Sequence, residues 1–186
     1  MSGGLIVART GVCKKGLLAI LGAAVLGLMP AFVADAANPE SVTVGMAFLD
    51  PITITENESL RFGLLDVNMA NLETVVIAPN DGLTDAGGNV LGGTQAAADL
   101  TITASTSQSI TISVGNVSTA TNYALGTWRC NYNGAGSDSD CFGGYSETTP
   151  AASTTATLLI GVTLTGNGTG TAGVDNSTFD VTVTYQ

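Results

Sequence analysis

The sequence predicts an all-β fold, an antiparallel β-sandwich. Three observations carry that expectation. Near the C-terminal end, Phe179, Val181, Val183 and Tyr185 alternate with Asp180, Thr182, Thr184 and Gln186. Period-two alternation of aromatic and β-branched residues with polar ones marks a half-buried strand. Turn clusters such as Pro79-Asn80-Asp81-Gly82 recur between short apolar runs, the spacing of a sandwich. After the N-terminal apolar run, no segment carries a helical period.

Each element follows in order. Residues 41–49 alternate Val42, Val44, Met46 and Phe48 against Thr43, Gly45 and Ala47, and read as a first strand. Pro51 then forces a bend or an edge position, because proline donates no ladder hydrogen bond. Residues 52–55 and 60–65 read as further strands, and residues 73–78 as a strand closed by the turn at Pro79. Residues 83–95 read as a Gly- and Asn-rich loop, and Ala96 to Ala98 is too short to count as a helix. Residues 99–105 and 109–115 read as two strands joined by a hairpin turn. A weaker strand, 123–128, leads into Cys130. Residues 155–165 form a strand with Leu158, Ile160, Val162 and Leu164 on one face, and a Gly/Thr/Asn loop separates it from the last strand.

The N-terminus reads as an export signal. Arg9, Lys14 and Lys15 precede the apolar run Leu17 to Met29, Pro30 ends it, and Ala34-Asp35-Ala36 fits the small-x-small cleavage rule. The expected organisation is a cleaved segment, 1–36, and one sandwich domain, 37–186, with no later membrane span. An uncleaved anchor is the competing reading of the same run. After cleavage the fifteen acids lose Asp35 and the only bases left are Arg61 and Arg129, a formal charge of −12. So acidic a chain repels nucleic acid and anionic lipid. Cys13 leaves with the signal, and the remaining Cys130 and Cys141 read as one disulfide of an exported protein.

Most catalytic chemistry lacks its residues. The chain has no His, and its only lysines, Lys14 and Lys15, lie in the signal. Ser-His-Asp and Cys-His nucleophiles, His-based zinc sites and Schiff bases are therefore excluded. The acids are scattered through turns, which does not predict a facing carboxylate pair. No catalytic residue, metal site or cofactor is expected. The pattern Gly168-Thr-Gly170-Thr-Ala-Gly173 has the spacing of a dinucleotide loop, but a strand follows it instead of a helix. Asp138-Ser139-Asp140 and Asp81 with Asp85 are weak calcium candidates that read more simply as turn residues. Trp128 beside Arg129 is a candidate surface aromatic for sugar stacking, against the commoner role of core packing.

Several of these segments together resemble a known family. They are Ile52-Thr-Ile-Thr, Leu60-x-Phe62-Gly63, the pair of strands from Leu100 to Gly115, Leu159-Ile160-Gly161-Val162-Thr163-Leu164 and the closing Phe179-x-Val181-x-Val183-x-Tyr185-Gln186. The chain resembles short bacterial exported β-sandwich proteins known only as a numbered domain of unknown function and grouped with fimbrial and adhesin-like subunits. Arg61 and the Cys130–Cys141 loop depart from that pattern.

The resemblance to pilin-like subunits implies an immunoglobulin-like sandwich with a missing strand, filled by the N-terminal extension of another subunit. Val42, Val44, Met46 and Phe48, with Gly45 easing close approach, are then the candidate donor strand within an extension, 37–49. Phe179, Val181, Val183 and Tyr185 are the candidate acceptor edge. The implied partners are the protein itself, other pilin-like subunits and a periplasmic chaperone, in the periplasm, at the cell surface or outside the cell. A self-complete sandwich acting as a monomeric envelope module for glycan or calcium stands beside this reading.

Overall fold

The structure, a computed structural model, describes residues 43, 45–118, 120–135 and 138–186. The body considered below is the unit Gly45–Gln186. The expected signal, with Val42 and Val44 of the candidate donor strand, lies outside the described residues.

The expectation of an all-β antiparallel sandwich holds. Twelve strands are present among the described residues: β1 (Thr53–Glu58), β2 (Leu64–Leu65), β3 (Thr74–Ile77), β4 (Leu83–Asp85), β5 (Val90–Gly92), β6 (Ala98–Thr103), β7 (Ser109–Gly115), β8 (Tyr123–Tyr132), β9 (Ser139–Asp140), β10 (Tyr145–Thr148), β11 (Thr155–Gly166) and β12 (Asp180–Tyr185). The large sheet is built on β11. One edge of β11 pairs with β6 and then β3, and the other pairs with β8. β1 extends this sheet through β6, β4 through β3, and β9 through β8. The small sheet has the order β10-β7-β12, and β2 and β5 form a separate ribbon.

The strands form because their apolar residues repeat every second position, so each strand presents one apolar face. β6 alternates buried Ala98, Leu100 and Ile102 with partly exposed Asp99, Thr101 and Thr103. β7 does the same with Ile110, Ile112 and Val114. These two faces meet in one core with Trp128, Cys130, Leu158, Ile160 and Val162. Each fully buried Ile, Leu or Val contributes about 1.5–3 kcal/mol. β11 departs from simple alternation in its middle, where Ile160, Gly161 and Val162 are all buried. The chain after β3 crosses this point, and a Cβ on Gly161 would collide with the Ile77 carbonyl oxygen.

The structure corrects four local expectations. Residues 45–49 belong to no strand, and regular pairing starts at Thr53, after Pro51. Residues 60–65 keep only β2 and an isolated bridge from Arg61 to Ala96. The Gly- and Asn-rich stretch 83–95 contains β4 and β5, whose few residues are held by Asp85 accepting from the Val90 amide at 2.7 Å. β6 and β7 are not a hairpin, because they lie in different sheets. Their link crosses the sandwich through Ser107, which has a φ of 55°. Buried Thr149 satisfies that crossing: its hydroxyl accepts from the Gln108 amide and donates to the Ser105 carbonyl, each at 2.7 Å.

The expected disulfide Cys130–Cys141 is present, with a Cα–Cα distance of 5.8 Å. Cys130 lies in β8 of the large sheet, while the Cys141 carbonyl accepts from the Val114 amide of the small sheet at 2.8 Å. The bond therefore staples the two sheets where the chain passes between them. Replacing both cysteines by Ala is expected to lower the unfolding free energy by about 2–3 kcal/mol. Urea denaturation of the two proteins measures this.

Candidate functional site

β12 is hydrogen-bonded to β7 in unbroken register from Asp180↔Gly115 to Tyr185↔Ile110. The ladder is prolonged at both ends, by Ser118 with Thr178 and by Gln186 with Ser109. Phe179, Val181, Val183 and Tyr185 are half-buried against the core, as their alternation requires, and Asp180, Thr182 and Thr184 face solvent. Phe179 is seated by Trp128, with ring centroids 4.8 Å apart and planes tilted by 54°. Trp128 is only 2% exposed. It is a core residue tying the two sheets together, and the surface-aromatic reading is corrected, because an indole of this area is held by packing where it lies.

The other edge of β12 has no strand beside it among the described residues. It opens instead on a groove of about 880 Å³ that runs between β12 and β1. Phe179 to Thr182 form one wall, and Ile54, Glu56 and residues 59–63 form the other. Leu100, Leu125 and Leu164 come up from the large sheet as its apolar floor. Ile54 shows the effect on packing. It pairs with Ile102, whose side chain is buried, and so points to the core side, yet it is 37% exposed because nothing covers it there. Arg61 stands exposed on the groove wall.

The two edges facing the groove differ. β1 carries Glu56 and Glu58 and a register shift between them. Charges and bulges of this kind block further strand pairing. β12 has a regular ladder, no proline and one acid, Asp180. Its outer row of amides and carbonyls is the unprotected one.

The N-terminal side of the body supplies the complementary feature. Met46 is 78% exposed and Phe48 91%, and no side chain hinders a Cβ at Gly45. The root of this segment is tied to the end of β12. The Tyr185 hydroxyl accepts from the Ser105 amide at 2.7 Å and donates to the Asp50 carbonyl at 2.9 Å. The Asp50 amide donates to Ser105 Oγ at 2.7 Å. Composition and alternation did not reveal this clasp. The only sequence signal was an aromatic with a polar tip at the end of an otherwise aliphatic face.

The weaker motifs resolve into structural roles. Gly168 to Gly173 lies in the loop between β11 and β12, with Gly170 packed on the Val67 carbonyl. Asp138 accepts from Asn131 and Asp140 from the Phe142 amide, so both hold their own loop. Asp81 accepts from the Ala97 amide. The Val90 and then Asn89 hydrogen bonds hold the Asp85 carboxyl below its ordinary pKa. No group of three or more metal-ligating side chains occurs among the described residues.

The fold and groove define the chain as an all-β domain of two main sheets with a groove between the edge strands β1 and β12. Residues 52–185 match the model of the domain of unknown function DUF4402, and the chain belongs to that family. No curated protein matches it.

Away from the groove, the hydroxyls of Tyr132 and Tyr145 are buried without hydrogen-bond partners. Burial first, and the charge of Glu147 second, push both phenols above their ordinary value of 10.0. The folded state thus keeps protons that the unfolded chain releases above about pH 10, so this contribution is flat below that pH and is lost as pH rises. The variant Y132F/Y145F is expected to unfold at a higher alkaline midpoint than the wild type. Circular dichroism from pH 9 to 12.5 checks it.

Proposed function

We propose that this chain is a non-enzymatic, exported structural or interaction protein, a fimbria-like or cell-surface subunit that assembles by β-strand addition. The observation that carries this reading is the unprotected edge of β12 beside a groove that has polar residues in its walls and an apolar floor. A strand laid there completes the backbone hydrogen bonding of β12, and its alternate side chains cover the apolar floor. Of the candidate acceptor residues, Phe179 and Val181 border that groove, and Val183 and Tyr185 continue the same strand.

The candidate donor residues Val42, Val44, Met46 and Phe48 have the spacing such a groove needs. Exposure of Met46 and Phe48 supports the assignment, since neighbouring large apolar side chains left in water are usual at interaction sites. The proposed partners are further copies, other pilin-like subunits, and a periplasmic chaperone that shields the groove before assembly. The signal-like N-terminus and the disulfide support export to an oxidising compartment.

The purified chain beginning at Ala37 is expected to form assemblies that resist dissociation. Removal of residues 37–49 is expected to leave only monomer. Size-exclusion chromatography with light scattering reads both. Monomer from both proteins under all conditions contradicts the proposal.

A further inference from the structure

The chain contains Asn-Gly pairs at Asn133-Gly134 and Asn167-Gly168 and an Asp-Gly pair at Asp81-Gly82. Such pairs share one chemistry. The glycine nitrogen attacks the preceding side-chain Cγ and gives up its proton to solvent. Ammonia leaves from Asn, or water from Asp, and a five-membered imide forms. Water then opens the imide at either carbonyl, leaving aspartate or isoaspartate. Glycine permits the approach because it carries no Cβ. We infer that Asn133 is a site of this modification in the folded protein, and that the fold suppresses the same reaction at Asn167 and Asp81.

The two suppressed sites are held by contacts distant in sequence as well as local ones. Asn167 Nδ2 donates to the Thr121 carbonyl, and its Oδ1 accepts from the Thr169 amide at 3.0 Å. Cγ cannot turn to the Gly168 nitrogen without losing both bonds. Gly168 is itself packed on Asn71, whose Cβ would lie 3.0 Å from any Cβ built there, so its peptide has no room to swing. Asp81 accepts from the Ala97 amide at 2.7 Å, and the attacking group, the Gly82 amide, donates to Asn80 Oδ1 at 3.2 Å.

Asn133 differs in each respect. It and Gly134 are exposed, with φ of 50° and 70°, in a two-residue turn closed by the Ala135 amide on the Tyr132 carbonyl at 3.0 Å. The Asn133 backbone amide is engaged by the Thr157 carbonyl at 2.7 Å. Among the described residues, neither its side chain nor the Gly134 amide makes a hydrogen bond. A Cβ added at Gly134 would meet nothing within 4 Å, so the peptide there has space to move.

Conversion adds one negative charge at the end of β8. Isoaspartate also carries the side-chain carbon into the main chain, which lengthens the turn and breaks the closure by Ala135. The Cys130–Cys141 bond closes this loop from both sides, so the change stays local.

The test ages the chain beginning at Ala37 in mildly alkaline buffer, folded, and in urea after reduction and alkylation. Peptide mapping by mass spectrometry reads the change from amide to acid at 133 and 167. Labelling with an isoaspartate-specific carboxyl methyltransferase reads the isomer at 133 and 81. In the folded protein Asn133 is expected to convert about tenfold or more faster than Asn167, the factor set by two ordinary hydrogen bonds. In urea the two are expected to convert alike. Hydrogen exchange of the aged protein is expected to show faster exchange at Ala135 and unchanged protection in β7 and β11. The inference is overturned if Asn167 keeps pace with Asn133 in the folded protein. It is equally overturned if the folded protein retains Asn133 while the unfolded chain loses it, or if the same preference persists in urea, where only local sequence acts.

Discussion

Every strand of the large sheet is hydrogen-bonded to β11 directly or through one neighbour. Thr155–Gly166 is paired along both edges for most of its length and buried on both faces at its centre. A buried backbone polar group without a partner is costly, and pairing on both edges avoids that cost. The small sheet has no equivalent. Its middle strand, β7, is paired on both sides, while β12 keeps one edge open. Trp128 on Phe179, together with the Cys130–Cys141 bond, holds this lighter sheet against the heavier one.

The open groove follows from that asymmetry. A sandwich whose two sheets were equally complete would cover Ile54 and the leucines of the floor. Here β1 and β12 stand on either side of uncovered apolar surface, and only β1 bears the charges and bulge that discourage pairing. The protection on one wall and its lack on the other orient the site. On the strand-addition proposal an incoming strand would be directed to β12, and the clasp at Tyr185 lies where the ladder ends.

Much of this was legible in the residues. The alternation of β12, β7 and β6 predicted strands and faces because a period of two is enforced locally by backbone geometry. The disulfide followed from the two cysteines, Cys130 and Cys141, that lie beyond the expected signal. What was not legible depended on contacts distant in sequence. Residues 41–49 alternate as well as β12 does, yet the described part, 45–49, joins no sheet. Alternation states that a face wants burial, not what buries it. Residues 106–108 read as a hairpin turn because they are short and polar, and only Thr149, more than forty residues away, makes them a crossing between sheets. Trp128 had two readings until its neighbour Phe179 was in place. The groove itself combines β1, β6, β8, β11 and β12 and has no signature in any one of them.

The central claim is that the free edge of β12 accepts an extended strand with the alternation of residues 42–48. It is tested most directly by adding a peptide of residues 39–50 to the chain lacking residues 37–49 and following the thermal midpoint. The account predicts a saturable rise in midpoint, because a ligand that binds only the folded state stabilises it by mass action. The same peptide with Asp in place of Met46 and Phe48 is predicted to give none. No rise with the unaltered peptide at any concentration, or an equal rise with both, contradicts the account.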